Sequence, residues 1–146
     1  MKKIALILIS ILLVNCTKDD DSVPTVVNEM SYDGEDTPIN YLEILQQGDN
    51  LVITGAKDED HGFIIEFRDK TLETLDGTYT FNDDEEGYNP VTDFSGAVLI
   101  NSTGIHAVTS GQVTVDDVDG TNITLSFVVN ADGIPATGVY VGTYTE

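Results

Sequence analysis

The stretch Asn122-Ile123-Thr124-Leu125-Ser126-Phe127-Val128-Val129 places Ile123, Leu125, Phe127 and Val129 on one side of an alternating pattern, with Asn122, Thr124, Ser126 and Val128 on the other. A period of two sends successive side chains to opposite faces of an extended chain, whereas a helix would scatter this apolar set around its circumference. The segment reads as a strand with one buried face.

The same alternation recurs on both sides of it. Phe63, Ile65 and Phe67 stand against Ile64, Glu66 and Arg68, and Phe94, Gly96, Val98 and Ile100 stand against Ser95, Ala97, Leu99 and Asn101. About eight strands are expected: Tyr41 to Gln46, Leu51 to Ala56, Phe63 to Phe67, Gly77 to Phe81, Phe94 to Ile100, Gly111 to Val118, Asn122 to Val129 and Thr137 to Tyr144. Gly48-Asp49-Asn50, Asp119-Gly120 and Ala131-Asp132-Gly133 supply turn residues, and short loops between successive strands favour antiparallel neighbours. After the first residues no segment keeps a helical period over three turns, and Thr71 to Leu75 offers a single turn at most. The class is all-β, a single antiparallel domain. An eight-stranded up-and-down barrel of calycin type is preferred slightly over a two-sheet sandwich, because meander connections dominate and Gly55, Gly96 and Gly142 lie within strands where bending is useful. Gly77-Thr78-Tyr79-Thr80 recurs as Gly142-Thr143-Tyr144-Thr145, which reads as two independent strands drawing on β-favouring residues.

Ahead of this body the chain changes character. Met1-Lys2-Lys3 precedes an apolar run from Ile4 to Val14, too short for a membrane span of about 20 residues and suited to a signal peptide. Leu13-Val14-Asn15-Cys16 holds the chain's single cysteine. It resembles the lipobox of bacterial lipoproteins, with Asn15 departing from the usual small residue. The resemblance implies cleavage before Cys16 and attachment of acyl chains to that residue. Lys18, Asp19 and Asp20 resemble the surface-export signal of Bacteroidota lipoproteins, and Asp21-Ser22-Val23 resembles the O-glycosylation motif of the same group, with Ser22 as the acceptor. The implied location is the outer membrane facing the cell exterior, with the periplasmic leaflet as second choice, and the implied relatives are small β-rich surface lipoproteins. This resemblance covers the leader and the acidic run; the body is matched by pattern alone. The expected organisation is a signal peptide over 1–15, an acidic tether over 16–37 and a β domain over 38–146.

The chain has 6 basic and 26 acidic residues. Loss of residues 1–15 removes Lys2 and Lys3, leaving 4 basic against 26 acidic and a net charge of −22. Such a surface argues against nucleic acid and anionic lipid headgroups, which require a basic footprint, and suits a cation or a basic partner. Membrane contact is expected through the lipid anchor alone, with a protein or glycan as partner.

Candidate sites are few. Asp117, Asp119 and Asn122 place oxygens around a glycine turn, as Ca²⁺ prefers, but without full EF-hand spacing; hairpin chemistry accounts for the same residues. Asp83, Asp84, Glu85 and Glu86 repel one another, so their loop is expected either to stay mobile or to be organised by a cation, with weak Ca²⁺ binding as the sharper reading. His61 and His106 lack the HExxH spacing of a zinc hydrolase, no GxSxG elbow is present, and no Gly-rich phosphate cradle follows a strand. Tyr79, Tyr88, Tyr140 and Tyr144 could replace the missing tryptophan as sugar-stacking faces. Acid pairs for glycoside hydrolysis carry no weight among 26 carboxylates. The function expected is a non-catalytic binding or interaction module without a cofactor. A barrel holding a small apolar ligand among Phe63, Phe94 and Phe127 and, further off, an acid-based hydrolase are the alternatives.

Overall fold

A computed structural model describes residues 27–146. They form ten strands: β1 (Glu29–Tyr32), β2 (Glu35–Pro38), β3 (Tyr41–Gln47), β4 (Asn50–Asp58), β5 (His61–Phe67), β6 (Gly77–Phe81), β7 (Asp93–Asn101), β8 (Gly104–Asp119), β9 (Asn122–Ala131) and β10 (Ile134–Thr143). A single 3-10 turn covers Leu72–Thr74. The fold is all-β and one domain, with all strands in one sheet of order β2-β1-β10-β9-β8-β6-β7-β5-β4-β3.

The sheet does not close into a barrel, which corrects the architecture preferred from the sequence. Its long strand β8 serves two neighbourhoods. Residues 104–107 pair with β7, whereas the strand from Val108 onward pairs with β9 and, over Gln112–Val115, with β6. The β8–β9 register shifts between Val108 and Ser110, and Gly111 follows at φ 127°, where a Cβ would run into the Val128 carbonyl oxygen and the Val129 Cα. Bulges of this kind bend a strand. Phe63 of β5 and Phe127 of β9, which are not neighbours in the sheet, meet edge to face with centroids 5.1 Å apart, so the two halves face each other across a common core.

Pairing is antiparallel except where β6 meets β7, Thr80 beside Asp93 and Phe81 beside Phe94. The second Gly-Thr-Tyr-Thr copy behaves similarly: Gly142 and Thr143 pair antiparallel with β9, then Thr145 forms a parallel bridge with Glu43 of β3. Each copy thus carries the chain from one pairing partner to another, and Tyr79 and Tyr144 are both buried.

All eight expected strands are present. Two more, β1 and β2, lie in residues read as tether, so the folded part includes Glu29 to Thr37 as well as 38–146. Met30, Tyr32 and Thr37 are buried there. The hairpin turns at Asp33-Gly34 (φ 51° and 77°), the same left-handed pair seen at Asp132-Gly133 (φ 50° and 82°) between β9 and β10. Two consecutive positive φ values make the primed turn that matches strand twist.

In β9 the faces are as read, with Ile123, Leu125, Phe127 and Val129 inside and Val128 exposed. In β7 they are not. Phe94 is buried, but Gly96 sits at φ 55° where the β5–β7 register shifts, and beyond it Ala97, Leu99 and Asn101 point inward while Val98 and Ile100 are half-buried. One extra residue in a ladder reverses every side chain beyond it.

Candidate functional site

Cys16, Lys18, Asp19, Asp20 and Ser22 lie outside the described residues. The acidic residues singled out from the sequence fall at two separate loops.

Asp83, Asp84, Glu85 and Glu86 lie between β6 and β7, and the loop holds itself. Asn82 Oδ1 accepts the Asp84 N–H at 3.1 Å, Asp84 Oδ1 accepts the Glu86 N–H at 3.1 Å, and the Asn82 amide reaches the Gly87 carbonyl at 3.1 Å and Asp93 Oδ2 at 2.8 Å. Two of the chain's own cations reach this loop. Arg68 donates to Asp83 Oδ1 at 2.8 Å and lies 5.4 Å from the Tyr88 ring centroid, while Lys70 donates to the Pro90 carbonyl at 2.7 Å. Tyr88 receives the Arg68 backbone N–H at 3.0 Å and donates to the Asp93 carbonyl at 2.8 Å.

Asp93 is the anchor of this loop. Burial pushes its carboxyl up, but the Asn89 N–H, the Asn82 amide and the Thr92 hydroxyl outweigh burial and hold it below the ordinary value. A carboxylate whose folded pKa is depressed stabilises the fold above its unfolded pKa, about 3.9, and that contribution is lost as pH falls through the folded value. Acidification below about pH 4 is therefore expected to release the loop at Asn89, seen as a shift of its amide resonance, and Asp93→Asn should remove that acid step. An Asn89 resonance unchanged down to the acid limit would contradict the anchor.

Asp117, Asp119 and Asn122 belong to the β8–β9 turn, where the Asn122 amide donates to Asp119 Oδ1 at 2.8 Å and Asp117 adopts φ 56°. Turn closure uses the Asp119 and Asn122 side chains on one another. Among the described residues, no group of three or more His, Cys, Asp or Glu side chains is placed to hold a metal ion.

Both histidines contact carboxylates. His61 Nδ1 is 2.8 Å from Asp58 Oδ1, and its Nε2 is 3.7 Å from Glu35 Oε1. The His61 hydrogen bond holds the Asp58 carboxyl below its usual range. His106 Nδ1 is 3.0 Å from Asp132 Oδ2, and its Nε2 is 2.9 Å from Thr103 Oγ1, an order resembling nucleophile, base and orienting acid. Asn101 joins the same group. Asn101 Oδ1 accepts the Thr103 N–H at 2.9 Å and the Thr103 hydroxyl at 2.7 Å, and it also stands 3.0 Å from Nε2. Thr103 Oγ1 lies closer to Asn101 Oδ1 than to Nε2, so Thr103, Asn101, His106 and Asp132 form one hydrogen-bonded cluster at the β7–β8 turn. With Tyr32 tilted over the ring at 4.8 Å, His106 ties the β7–β8 turn to the β9–β10 turn.

Tyr79, Tyr140 and Tyr144 are buried, so they offer no open face for a sugar; Tyr88 lies under Arg68. Tyr79 donates to the Leu75 carbonyl at 2.6 Å, and burial, aided by Asp76 and Tyr88, pushes its phenol up to about 12.

The main concavity was not legible in the sequence. A groove of about 490 Å³ runs beside β3, with Ile44, Leu45, Leu51 and Leu72 along it and Glu73 and Glu146 at its rim. A second, of about 230 Å³, shares Leu72, Glu73 and Glu146 and adds Asp76, Val118 and Tyr144. The Tyr144 hydroxyl is buried and has no hydrogen-bond partner among the described residues, and burial, with Glu146 and Asp119 nearby, pushes its pKa up. Such orphan hydroxyls are uncommon in folded proteins.

Compared with known proteins, the chain matches no family model, no curated protein and no solved structure. What the grooves can do follows from their own chemistry: an apolar floor and an acidic rim. They draw on β3, the 3-10 turn and the segment after β10, which are far apart in the chain. Spacing rules could not have found them.

Proposed function

We propose that the protein is a surface lipoprotein: Cys16 carries the acyl chains, Lys18, Asp19 and Asp20 direct it to the exterior of the outer membrane, and the β domain is a non-catalytic binding module. The single observation carrying the binding part is the pair of open grooves that share an acidic rim. Anchoring rests on the order of positive start, short apolar run, lipobox and acidic stretch. More than one acyl chain is needed for stable attachment, since each buried CH₂ contributes about 0.8 kcal/mol and one chain is marginal. The carrier alternative needs space among Phe63, Phe94 and Phe127. Those rings instead pack on neighbours, Phe63 on Phe127 at 5.1 Å and Phe94 on Phe81 at 5.5 Å.

The test is fractionation of cells expressing the full chain. The parent should sediment with membranes, incorporate labelled fatty acid and be removed from intact cells by added protease. Cys16→Ser should lose the label and leave the membrane fraction, while alanine at Lys18, Asp19 and Asp20 together should keep the label and become protected from protease. Membrane attachment that survives Cys16→Ser would end this reading.

A further inference from the structure

The two edges of the sheet differ. β2 carries Glu35, Asp36 and Pro38, which discourage strand addition. β3 is already receiving a strand: the Thr145 N–H donates to the Leu42 carbonyl at 3.0 Å, and the Ile44 N–H donates to the Thr145 carbonyl at 2.8 Å. By the period of two, Gln46 faces that same edge, and no described strand lies beside it. The larger groove opens at Ile44, Leu45 and Gln46 of this edge.

We infer that the β3 edge and its groove bind an extended peptide in which apolar and basic residues alternate, added as a parallel strand beside Gln46. Backbone pairing at Gln46 supplies the register, and alternate side chains meet different walls, as in other strand-addition sites. An apolar side chain faces Ile44, Leu51 and Leu72. The neighbouring basic side chains meet Glu73, Asp76 and Glu146. Charge selects this occupant over a second copy of the chain. Of the 26 acidic residues, all but Asp19, Asp20 and Asp21 lie in residues 27–146, whose cations are Lys57, Arg68 and Lys70. Arg68 and Lys70 are engaged with the acidic loop, and Lys57 is 3.9 Å from Asp58. Two such bodies repel, whereas a basic strand is drawn in.

This inference rests on the binding-module reading, and it can fail while anchoring through Cys16 stands. The probe is a fluorescein-labelled hexapeptide of alternating valine and lysine, titrated at low salt into the full chain in detergent micelles and followed by anisotropy. Saturable binding is expected, weakened about tenfold or more by Glu73→Lys, little changed by Glu59→Lys at the far β4–β5 turn, and absent when glutamate replaces lysine in the peptide. Melting curves check the fold; if Glu73→Lys does not melt like the parent, Leu45→Arg beside the same groove replaces it with the same expected loss. Equal weakening by the two charge reversals, equal binding of oligolysine without valine, or no binding at all would each overturn the assignment.

Discussion

Phe127→Ala is expected to lower the unfolding free energy by about 3–5 kcal/mol, measured by urea denaturation of the Cys16→Ser form in aqueous buffer. Phe127 is 3% exposed and is the β9 side of the contact with Phe63, which joins the two halves of the bent sheet. Removing the ring loses its transfer free energy and leaves a void that rigid strands on both sides cannot collapse to fill. Against a total near 5–15 kcal/mol for a domain of this kind, the loss leaves a protein close to unfolding at growth temperature. Phe63→Ala should cost a similar amount. The double variant should cost less than the sum, because the edge-to-face contact, worth about 0.5–1.5 kcal/mol, can be lost only once. Additive losses would mean that the halves do not meet through these rings, and a loss under about 1 kcal/mol would place Phe127 outside the core.

How far the sequence anticipates this core depends on the ladder around each residue. β9 is uninterrupted through Val129, so its apolar face survives folding unchanged. β7 has the same surface pattern but contains the Gly96 bulge, and alternation alone cannot reveal that Ala97 and Leu99 turn inward beyond it. The β1–β2 hairpin did leave a trace, Met30 and Tyr32 alternating with Glu29 and Ser31 ahead of Asp33-Gly34, masked by acidic and proline-bearing surroundings. Closure was not legible because it depends on where β8 changes partners, a property of sixteen residues and three neighbouring strands together. For the acidic loop the sequence left mobility and a cation both open, and nothing near it in sequence pointed to Arg68, 15 residues away, as the partner of Asp83.

Gly138→Ala is expected to destabilise the protein by about 1–3 kcal/mol, opposite in sign to the usual effect of such a change. Neither Gly138 nor Gly55 has a positive φ, so alanine can adopt either backbone, and loss of glycine freedom in the unfolded chain would by itself stabilise by about 0.4–1 kcal/mol. Space decides otherwise. Gly138 pairs with Phe127 and Gly55 with Phe63, and a methyl built at either glycine would overlap the ring of its partner. Each phenylalanine thus lies across the glycine of the adjacent strand, and because the two rings also press on each other, neither can tilt away without disturbing the other. Phe127→Leu in the Gly138→Ala background should therefore recover part of the loss, giving a double variant less destabilised than the sum of the singles, whereas Phe63→Leu, whose ring does not touch Gly138, should recover less. Glycine at these two positions is then required by the ring above it and not by bending. A neutral Gly138→Ala, or equal rescue by the two leucine substitutions, would show that the Phe127 ring has another place to go.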